Sequence, residues 1–449
     1  MTSPSRTGIP DPAERSSRTS LRRVVASSAV GQFVEWYDFV IYAYSAVIIG
    51  KLFFPEQDDV TEILAVFGVY AVGFLMRPLG GIVFGLLGDR IGRRRLLVIV
   101  ILSAGAATMA IGLLPTYQQI GILAPILLLA CRMVQGFSAA GETVTSNAFM
   151  GEHAPAEKRG LYVGFNYSFT TVPSVVAALF VLLLMNALGP DMYESWGWRI
   201  AFLVAGPIAL IGFYIRKNVD ESPAFEAAKE AQEMARSQNL EQKETSSRLA
   251  VVHTLALAAL SSLMFYLFSG YMVVYLKSSA GVEQGQALLT NGIALFIAFV
   301  FFWIGGALSD RFGRRPVLFS VISAIIVLYL PAFWLAGHGT LWSILAGQLI
   351  IGITGGIFWG VFGVTILELF PTRNRLSGAM ISYNMSYTVF GGTAPLVATW
   401  LIAQTGLLIA PGIYTVGVAI LVLIILIALK MPETAATSML HDEDRVPAP

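Results

Sequence analysis

Long runs of apolar residues constrain the fold of this 449-residue chain more than any other feature. A helix needs about 20 apolar residues to cross about 30 Å of hydrocarbon, and it satisfies its own backbone hydrogen bonds in lipid. Twelve such blocks lie near 24–52, 60–88, 95–115, 118–148, 160–188, 197–216, 250–277, 285–309, 315–336, 340–370, 376–402 and 407–430. They predict an all-α integral membrane protein with 12 transmembrane helices.

Composition supports this prediction and excludes other classes. Charged residues make up 13% of the chain, whereas a soluble globular protein carries about 25%. A soluble enzyme, a disordered protein and a nucleic-acid-binding protein are therefore excluded. The single cysteine, Cys131, excludes a disulfide framework and a cysteine-rich metal site. No hydrolase or metalloprotease motif is present, so we expect neither an enzyme nor a metal site.

The distribution of positive charge predicts the orientation in the membrane. Of the 29 Lys and Arg residues, 24 fall in the N-terminal tail, the even-to-odd loops and the C-terminal tail. Cytoplasmic loops carry the excess of positive charge. We therefore expect a multi-pass protein of the plasma (inner) membrane with both termini cytoplasmic.

An internal repeat divides the chain into two copies of one unit. The pattern G-x-x-x-D-R-x-G-R-R occurs at 85–94 and again at 306–315, an offset of 221 residues. Glu, Pro and Arg at 152–159 recur at 368–375, an offset of 216 residues. Parallel repeats of this kind are typical of secondary transporters. The predicted organisation is a cytoplasmic tail 1–23, a six-helix bundle 24–216, a cytoplasmic linker 217–249, a second six-helix bundle 250–430 and a cytoplasmic tail 431–449.

The repeated loop and the 6+6 layout resemble the major facilitator superfamily. A narrower resemblance, to the metabolite:H+ symporter family, is carried by E-W-Y-D-F-V-I-Y at 35–42, F-L-M-R-P-L-G-G at 74–81, R-M-V-Q-G at 132–136, W-G-W-R at 196–199 and D-E-S-P-A-F at 220–225. That family includes proline/betaine, α-ketoglutarate, citrate and shikimate carriers. The resemblance implies the major facilitator fold of two pseudo-symmetric six-helix bundles, and transport coupled to protons.

The repeated loops predict a cytoplasmic gate. Arginine can bind carboxylates bidentately, so these loops are expected to hold the two halves together when the carrier faces outward. The alternative is plain anchoring by positive charge. A glycine in each copy is expected to make a tight turn, and Glu152 and Glu368 are plausible partners of the arginines. The predicted gate residues are Asp89, Arg90, Gly92, Arg93, Arg94, Glu152, Asp310, Arg311, Gly313, Arg314, Arg315 and Glu368.

Charged residues inside the predicted spans indicate a polar site in the first half. Ionisable groups at membrane depth usually face a cavity or a partner. Burial and a neighbouring arginine act in opposite directions on the proton affinity of a carboxyl group, so such a group can exchange protons near neutral pH. Glu35, Asp38 and Glu142 are candidates for proton coupling, and Arg77 and Arg132 for binding substrate. The alternative is a static ion pair that fixes helix packing.

Aromatic residues near these charges are candidates for substrate binding. Aromatic faces attract quaternary ammonium groups. Ordinary packing between helices is the alternative. The candidates are Tyr42 on span 1, Trp359 on span 10, and Tyr383, Asn384 and Tyr387 on span 11. For the glycines at 352, 356 and 360, whose spacing permits close helix contact, packing is the expected role.

The expected function is proton-coupled symport that imports a small metabolite by alternating access. A zwitterionic solute of the proline/glycine betaine type is favoured because only two arginines lie within the spans. An organic acid such as α-ketoglutarate, citrate or shikimate is the first alternative, and a transporter-like membrane sensor is another. The expected partners are the substrate, the proton and the lipid bilayer, with no nucleic acid and no cofactor. The chain is expected to function as a monomer.

Overall fold

A computed structural model describes residues 21–54, 59–91, 93–140, 142–217, 248–337, 340–370 and 375–435. Within these ranges the chain is helical apart from short turns, and no strand occurs. Most of the predicted linker and tails lies outside the described residues, so those boundaries stay predictions.

Twelve successive helical segments, α1–α12, follow the chain. The first six are α1 (Leu21–Tyr44, continued by Ala46–Phe53), α2 (Asp59–Ile91), α3 (Arg93–Leu113), α4 (Leu123–Ser138, continued by Glu142–His153), α5 (Arg159–Ser168, continued by Val172–Leu188) and α6 (Trp198–Leu203, continued by Ala205–Lys217). The other six are α7 (Arg248–Tyr266, Leu267–Tyr271 and Met272–Ser278), α8 (Gln284–Phe312), α9 (Arg314–Gly337), α10 (Leu341–Glu368), α11 (Arg375–Ser386, Tyr387–Gly391 and Gly392–Thr405) and α12 (Ala410–Ala428).

The prediction of a helical multi-pass membrane protein is confirmed. Eight helices within the described residues are long and apolar enough to cross a membrane, and two shorter apolar helices lie in α3 and α4. The fourth predicted span, near 118–148, contains two helices, the first ending at Ser138 and the second beginning at Glu142. In α7 and α11 the middle part, Leu267–Tyr271 and Tyr387–Gly391, is a single π-helical turn.

Helix packing repeats between the halves, as the internal sequence repeat predicts. In the first half α2 packs on α4 and α3 on α6; in the second half α8 packs on α10 and α9 on α12. The halves meet through α2 against α11 and α5 against α8, which are equivalent pairs under the same two-fold relation. The fold is therefore the predicted pair of pseudo-symmetric bundles.

The glycines on α10 allow it to approach α8 closely. A Cβ atom added at Gly352 would lie 2.8 Å from the Ala294 carbonyl oxygen, and one at Gly356 would lie 2.7 Å from that of Ala298. At Gly360 the added atom would overlap the carbonyl group of Phe302. The predicted packing role of these glycines is confirmed, because a side chain at any of them would push the two helices apart.

Gly360→Ala is therefore expected to destabilise the protein by about 1–3 kcal/mol, the usual cost of overpacking. The midpoint of thermal unfolding in detergent measures the effect. Gly417→Ala on α12 is the matched control, because nothing lies within 4 Å of its added Cβ atom. An alanine inside a helix is intrinsically favoured over glycine by about 1 kcal/mol, so the control should be neutral or slightly stabilising. Equal midpoints for the two variants would contradict this account of α8–α10 packing.

Candidate functional site

A buried charged centre lies between α1, α2 and α4. The Arg77 side chain is fully buried, and its Nη2 atom lies 3.2 Å from Oε1 of Glu35. The other carboxylate oxygen of Glu35 accepts a hydrogen bond of 3.0 Å from the Thr143 hydroxyl. The partners of Glu35 thus come from α2 and α4, which places this carboxylate in a pair joining three helices.

Asp38 lies one turn further along α1 and has a different environment. Its side chain is buried, yet neither carboxylate oxygen has a side-chain hydrogen-bond partner among the described residues. Arg77 and Arg132 both lie within electrostatic range of it. Glu35 is held by Arg77 and Thr143, whereas no side-chain hydrogen bond to a described residue holds the carboxylate of Asp38. A buried charge without such bonds is costly.

The two arginines keep unused hydrogen-bond donors. Arg132 donates from Nη1 to Oε1 of Gln135 over 2.8 Å, and Gln135 in turn donates to the Thr108 hydroxyl over 2.6 Å. Within the described part of the chain, Nε and Nη2 of Arg132 and Nε and Nη1 of Arg77 have no hydrogen-bond partner. These donors could bind an anionic group.

Aromatic rings stabilise both guanidinium groups. The ring of Phe39 has its centroid 4.8 Å from Cζ of Arg77 and 5.0 Å from Cζ of Arg132. Arg132 also lies 4.3 Å from the centroid of Tyr42, a distance typical of cation–π contact. The hydroxyl of Tyr42 donates to the carbonyl oxygen of Val66 over 3.0 Å. The structure thus places this predicted substrate residue beside Arg132.

The predicted aromatic residues of the second half form one connected group. The rings of Tyr383 and Tyr387 stack with centroids 3.8 Å apart. The Tyr387 hydroxyl lies 2.8 Å from that of Tyr167 and 3.0 Å from that of Ser261. Trp359 is fully buried and donates from Nε1 to the carbonyl oxygen of Ser261 over 3.2 Å. The group therefore links α10 and α11 to α7, and through Tyr167 to the first half.

Asn384, also predicted, lies at a contact between the two halves. Its side-chain amide donates to the carbonyl oxygen of Ala140 over 2.7 Å, at the point where the two parts of α4 meet. It also donates to Met380 of its own helix over 3.0 Å. Asn384 thus fixes α11 against α4.

Three further aromatic residues connect the charged centre to the second half. Trp36 of α1 has its ring centroid 4.6 Å from that of Phe265, 5.7 Å from Tyr266 and 6.5 Å from Tyr387. Phe265 and Tyr266 carry no distinguishing signal in the strongly apolar sequence of α7. The one available hint is pseudo-symmetry, since α7 is the counterpart of α1, which carries Glu35 and Asp38.

A second buried charge network lies at the face of the bundle where α1 begins, here called the tail face. Arg314 lies 2.7 Å from Asp310 and 3.0 Å from Glu368, so the predicted pairing of the repeated loop with Glu368 is present. Glu368 also pairs with Arg159 of α5 over 3.3 Å. The backbone N–H groups of Gly160 and residue 161 donate to the two Asp310 oxygens, each over 2.8 Å. The network therefore ties α5 of the first half to α8, α9 and α10 of the second.

The segment after α12 joins the same network. Glu433 accepts hydrogen bonds from the backbone N–H groups of Arg314 and Arg315 over 2.8 and 3.1 Å. Gly313 has φ +93°, a conformation that side chains disfavour, and an added Cβ atom would meet the Glu433 carboxylate. The predicted tight turn at Gly313 is confirmed. The side chain of Arg311 is exposed and stacks on Phe312, with 5.2 Å between Cζ and the ring centroid.

The first-half copy of the repeated loop carries the other half of the predicted gate. Gly92 lies outside the described residues, and the structure describes no side-chain position for the other predicted first-half gate residues or for Glu142. Their roles stay predictions. The residues concerned are Asp89, Arg90, Arg93, Arg94 and Glu152.

The two halves also touch at the opposite face. The Tyr44 hydroxyl of α1 donates to Oδ1 of Asn291 on α8 over 3.2 Å. Nearer the surface, Lys277 at the end of α7 lies 3.7 Å from Glu194, which precedes α6. Between these contacts and the tail-face network, the side chains of Asp38, Arg77 and Arg132 are buried.

A model of the Major Facilitator Superfamily matches residues 29–375 and 304–446. The chain belongs to the major facilitator superfamily. The solved structure of the xylose transporter XylE from Escherichia coli, in a partially occluded inward open conformation, has a TM-score of 0.74 at 17% identity. The match covers 93% of this chain and 99% of that one. At this identity the likeness shows the fold.

Curated relatives confirm the narrower resemblance to the metabolite:H+ symporter family. The proline/betaine transporter of Salmonella typhimurium is 35% identical over 425 residues, which cover 92% of this chain and 84% of that protein. The ectoine/proline transporter ProP of Corynebacterium glutamicum is 34% identical over 407 residues, covering 88% and 81%. Both relatives are transporters by name.

We expect the Glu368→Gln substitution to let the two halves of this chain separate at the tail face. Removing one partner of a buried ion pair costs about 3–5 kcal/mol, and about 1.4 kcal/mol changes a population tenfold. Val163 of α5 is fully buried and faces α10, so a cysteine at this position reacts with maleimide only when the tail face opens. The reporter is Val163→Cys in a Cys131→Ser background. Adding Glu368→Gln to this reporter should make maleimide labelling at least about tenfold faster. The exposed Arg248→Gln is the control, and an unchanged rate in Glu368→Gln would contradict a closing role for the network.

Proposed function

We propose that this chain is a proton-coupled symporter that imports a zwitterionic solute of the proline/glycine betaine type by alternating access. The observation that carries the proposal is the buried centre. In it, two arginines with unused donors lie near an aspartate that has no side-chain hydrogen bond, next to a group of aromatic rings. Arginine donors suit a carboxylate, and aromatic faces suit an alkylammonium group. Relatives named for proline, betaine and ectoine support this substrate class.

Asp38 is the proposed proton carrier, and Glu35 holds Arg77 in place. Among the described side chains of the centre, Arg77 and Arg132 balance Glu35 and Asp38. Protonation of Asp38 leaves one excess positive charge, which attracts the substrate carboxylate. Deprotonation restores the balance and favours release. Proton and substrate therefore bind together, as symport requires.

The tail-face network is the proposed cytoplasmic gate. The excess of Lys and Arg in the tails and even-to-odd loops supports a cytoplasmic tail face in a plasma (inner) membrane. Opening to the cytoplasm then requires the Arg159–Glu368 pair to break, and opening to the outside requires the Tyr44–Asn291 contact to break. In this proposal the chain works as a monomer, with the proton as coupling ion and without another cofactor or a catalysed reaction.

Uptake into proteoliposomes with an imposed inward proton gradient tests the proposal. Labelled proline, glycine betaine, α-ketoglutarate, citrate and shikimate are offered separately, with and without a protonophore. Accumulation of proline or glycine betaine that the protonophore abolishes is the expected result. Binding of a zwitterion without any transport would instead favour a sensor.

An organic acid is the second candidate, because Arg77 and Arg132 both retain unpartnered donors. Two guanidinium groups in one buried centre could bind two carboxylates. Protonophore-sensitive accumulation of one acid, with no uptake of proline or glycine betaine, would replace the first proposal by this one.

A further inference from the structure

We propose that Tyr266 of α7 is the residue of the second half that recognises the substrate carboxylate. Its hydroxyl donates to a carboxylate held by Arg77 of the first half, while the neighbouring rings of Trp36 and Tyr387 face the ammonium group. This inference rests on the proposed function and assigns one of its substrate contacts.

The hydroxyl of Tyr266 is buried and unused. The side chain is 2% exposed, and its oxygen has no hydrogen-bond partner among the described residues. Buried tyrosine hydroxyls normally find a partner, as Tyr42 does at the Val66 carbonyl and Tyr387 does at Tyr167. Tyr266 therefore has a donor available to a ligand.

Tyr266 also lies beside the charged centre. Its ring centroid is 4.9 Å from that of Phe74 and 5.7 Å from that of Trp36. The same two rings lie 4.9 and 5.9 Å from Cζ of Arg77, which has unpartnered donors of its own. The phenol and the guanidinium group are within electrostatic range of each other. One carboxylate could therefore accept hydrogen bonds from both halves.

Tyr266 lies where α7 and α11, the two helices with a π-helical turn in their middle, contact each other. It is the last residue before the π-helical turn Leu267–Tyr271 of α7. Its ring rests on Gly391, the last residue of the π-helical turn in α11, where an added Cβ atom would lie 2.7 Å from two ring carbons. Single π-helical turns occur frequently at functional sites. A carboxylate that bonds to Tyr266 would thus act on both turns and draw the second half onto the first.

Tyr266→Phe removes the hydroxyl and keeps the ring, so it separates recognition from packing. Dissociation constants of the purified full-length chain are measured by calorimetry for glycine betaine and for choline, which has the quaternary ammonium group and lacks the carboxylate. We expect the constant for glycine betaine to rise at least about tenfold and that for choline to stay unchanged. Tyr329→Phe is the matched control, because Tyr329 is also a buried tyrosine but lies on α9, which contributes no residue to the charged centre.

Gly391→Ala provides a second variant that leaves Tyr266 chemically intact. The added methyl group displaces the ring from its place on α11, so we expect the same selective loss of glycine betaine binding. The inference is overturned if Tyr266→Phe binds glycine betaine with the affinity of the wild type. It is also overturned if the affinities of Tyr266→Phe for glycine betaine and for choline fall by the same factor.

Failure of the proposed function gives a different result. If the wild type accumulates an organic acid and binds no zwitterion, the substrate class is wrong, and the tenfold loss in Tyr266→Phe is then expected for that acid. If the wild type accumulates glycine betaine and Tyr266→Phe binds it normally, only the role of Tyr266 is wrong.

Discussion

Asp38→Asn is expected to abolish accumulation of substrate against its gradient while exchange of labelled for unlabelled substrate continues. Asparagine keeps the size of the side chain and cannot carry the proton. A gradient of one pH unit corresponds to about 1.4 kcal/mol and supports roughly tenfold accumulation at one proton per substrate. The ratio of internal to external glycine betaine in proteoliposomes should therefore fall from about ten to about one.

The control for Asp38→Asn is Asp191→Asn, at an exposed aspartate that precedes α6. It should accumulate substrate like the wild type. Full accumulation by Asp38→Asn would assign the proton to another carboxylate, of which Glu35 and Glu142 are the remaining predictions. Glu35→Gln is expected to behave differently, because it breaks a pair with Arg77 and should affect stability as well as transport.

Arg77→Gln is expected to produce the second large effect, with at least about 100-fold lower uptake. The variant removes the proposed carboxylate anchor and leaves Glu35 buried without its charged partner on α2. Removal of one partner of a buried pair costs about 3–5 kcal/mol. Initial uptake rates in proteoliposomes and the midpoint of thermal unfolding measure the two consequences separately.

The double variant Glu35→Gln, Arg77→Gln separates anchoring from packing. Neutralising both partners removes the uncompensated charge, so the unfolding midpoint should recover towards that of the wild type. Uptake should stay lost, because the anchor is still missing. Recovery of uptake together with stability would make the pair purely structural. Arg248→Gln, at an exposed arginine, serves as the control for loss of positive charge.

The sequence carries enough information to predict the architecture because lipid imposes simple rules. The length of each span, the distribution of positive charge and the two repeated motifs can all be read directly from the sequence. The close approach of α10 to α8 was predictable in the same way, since the glycines at 352, 356 and 360 must lie on one helix face. The break within α4 and the π-helical turns of α7 and α11 were not predicted from the sequence.

The sequence indicated which charged residues form the site, but it did not indicate which carboxylate pairs with which arginine. Asp38 and Glu35 lie three residues apart on one helix face, and nothing in that spacing shows which of them meets Arg77. The answer depends on how α2 and α4 dock against α1, where Thr143 supplies a second partner to Glu35. Tyr266 was not predicted, because α7 also carries Tyr271 and Tyr275 and nothing in the sequence distinguishes Tyr266 from them.

The central claim is that substrate and proton cross together. The most direct test is to add glycine betaine outside proteoliposomes without any imposed gradient and to record internal pH with a trapped dye. The account predicts internal acidification on addition of glycine betaine, none on addition of choline, and none in Asp38→Asn. Uptake of labelled glycine betaine with no change in internal pH would contradict it.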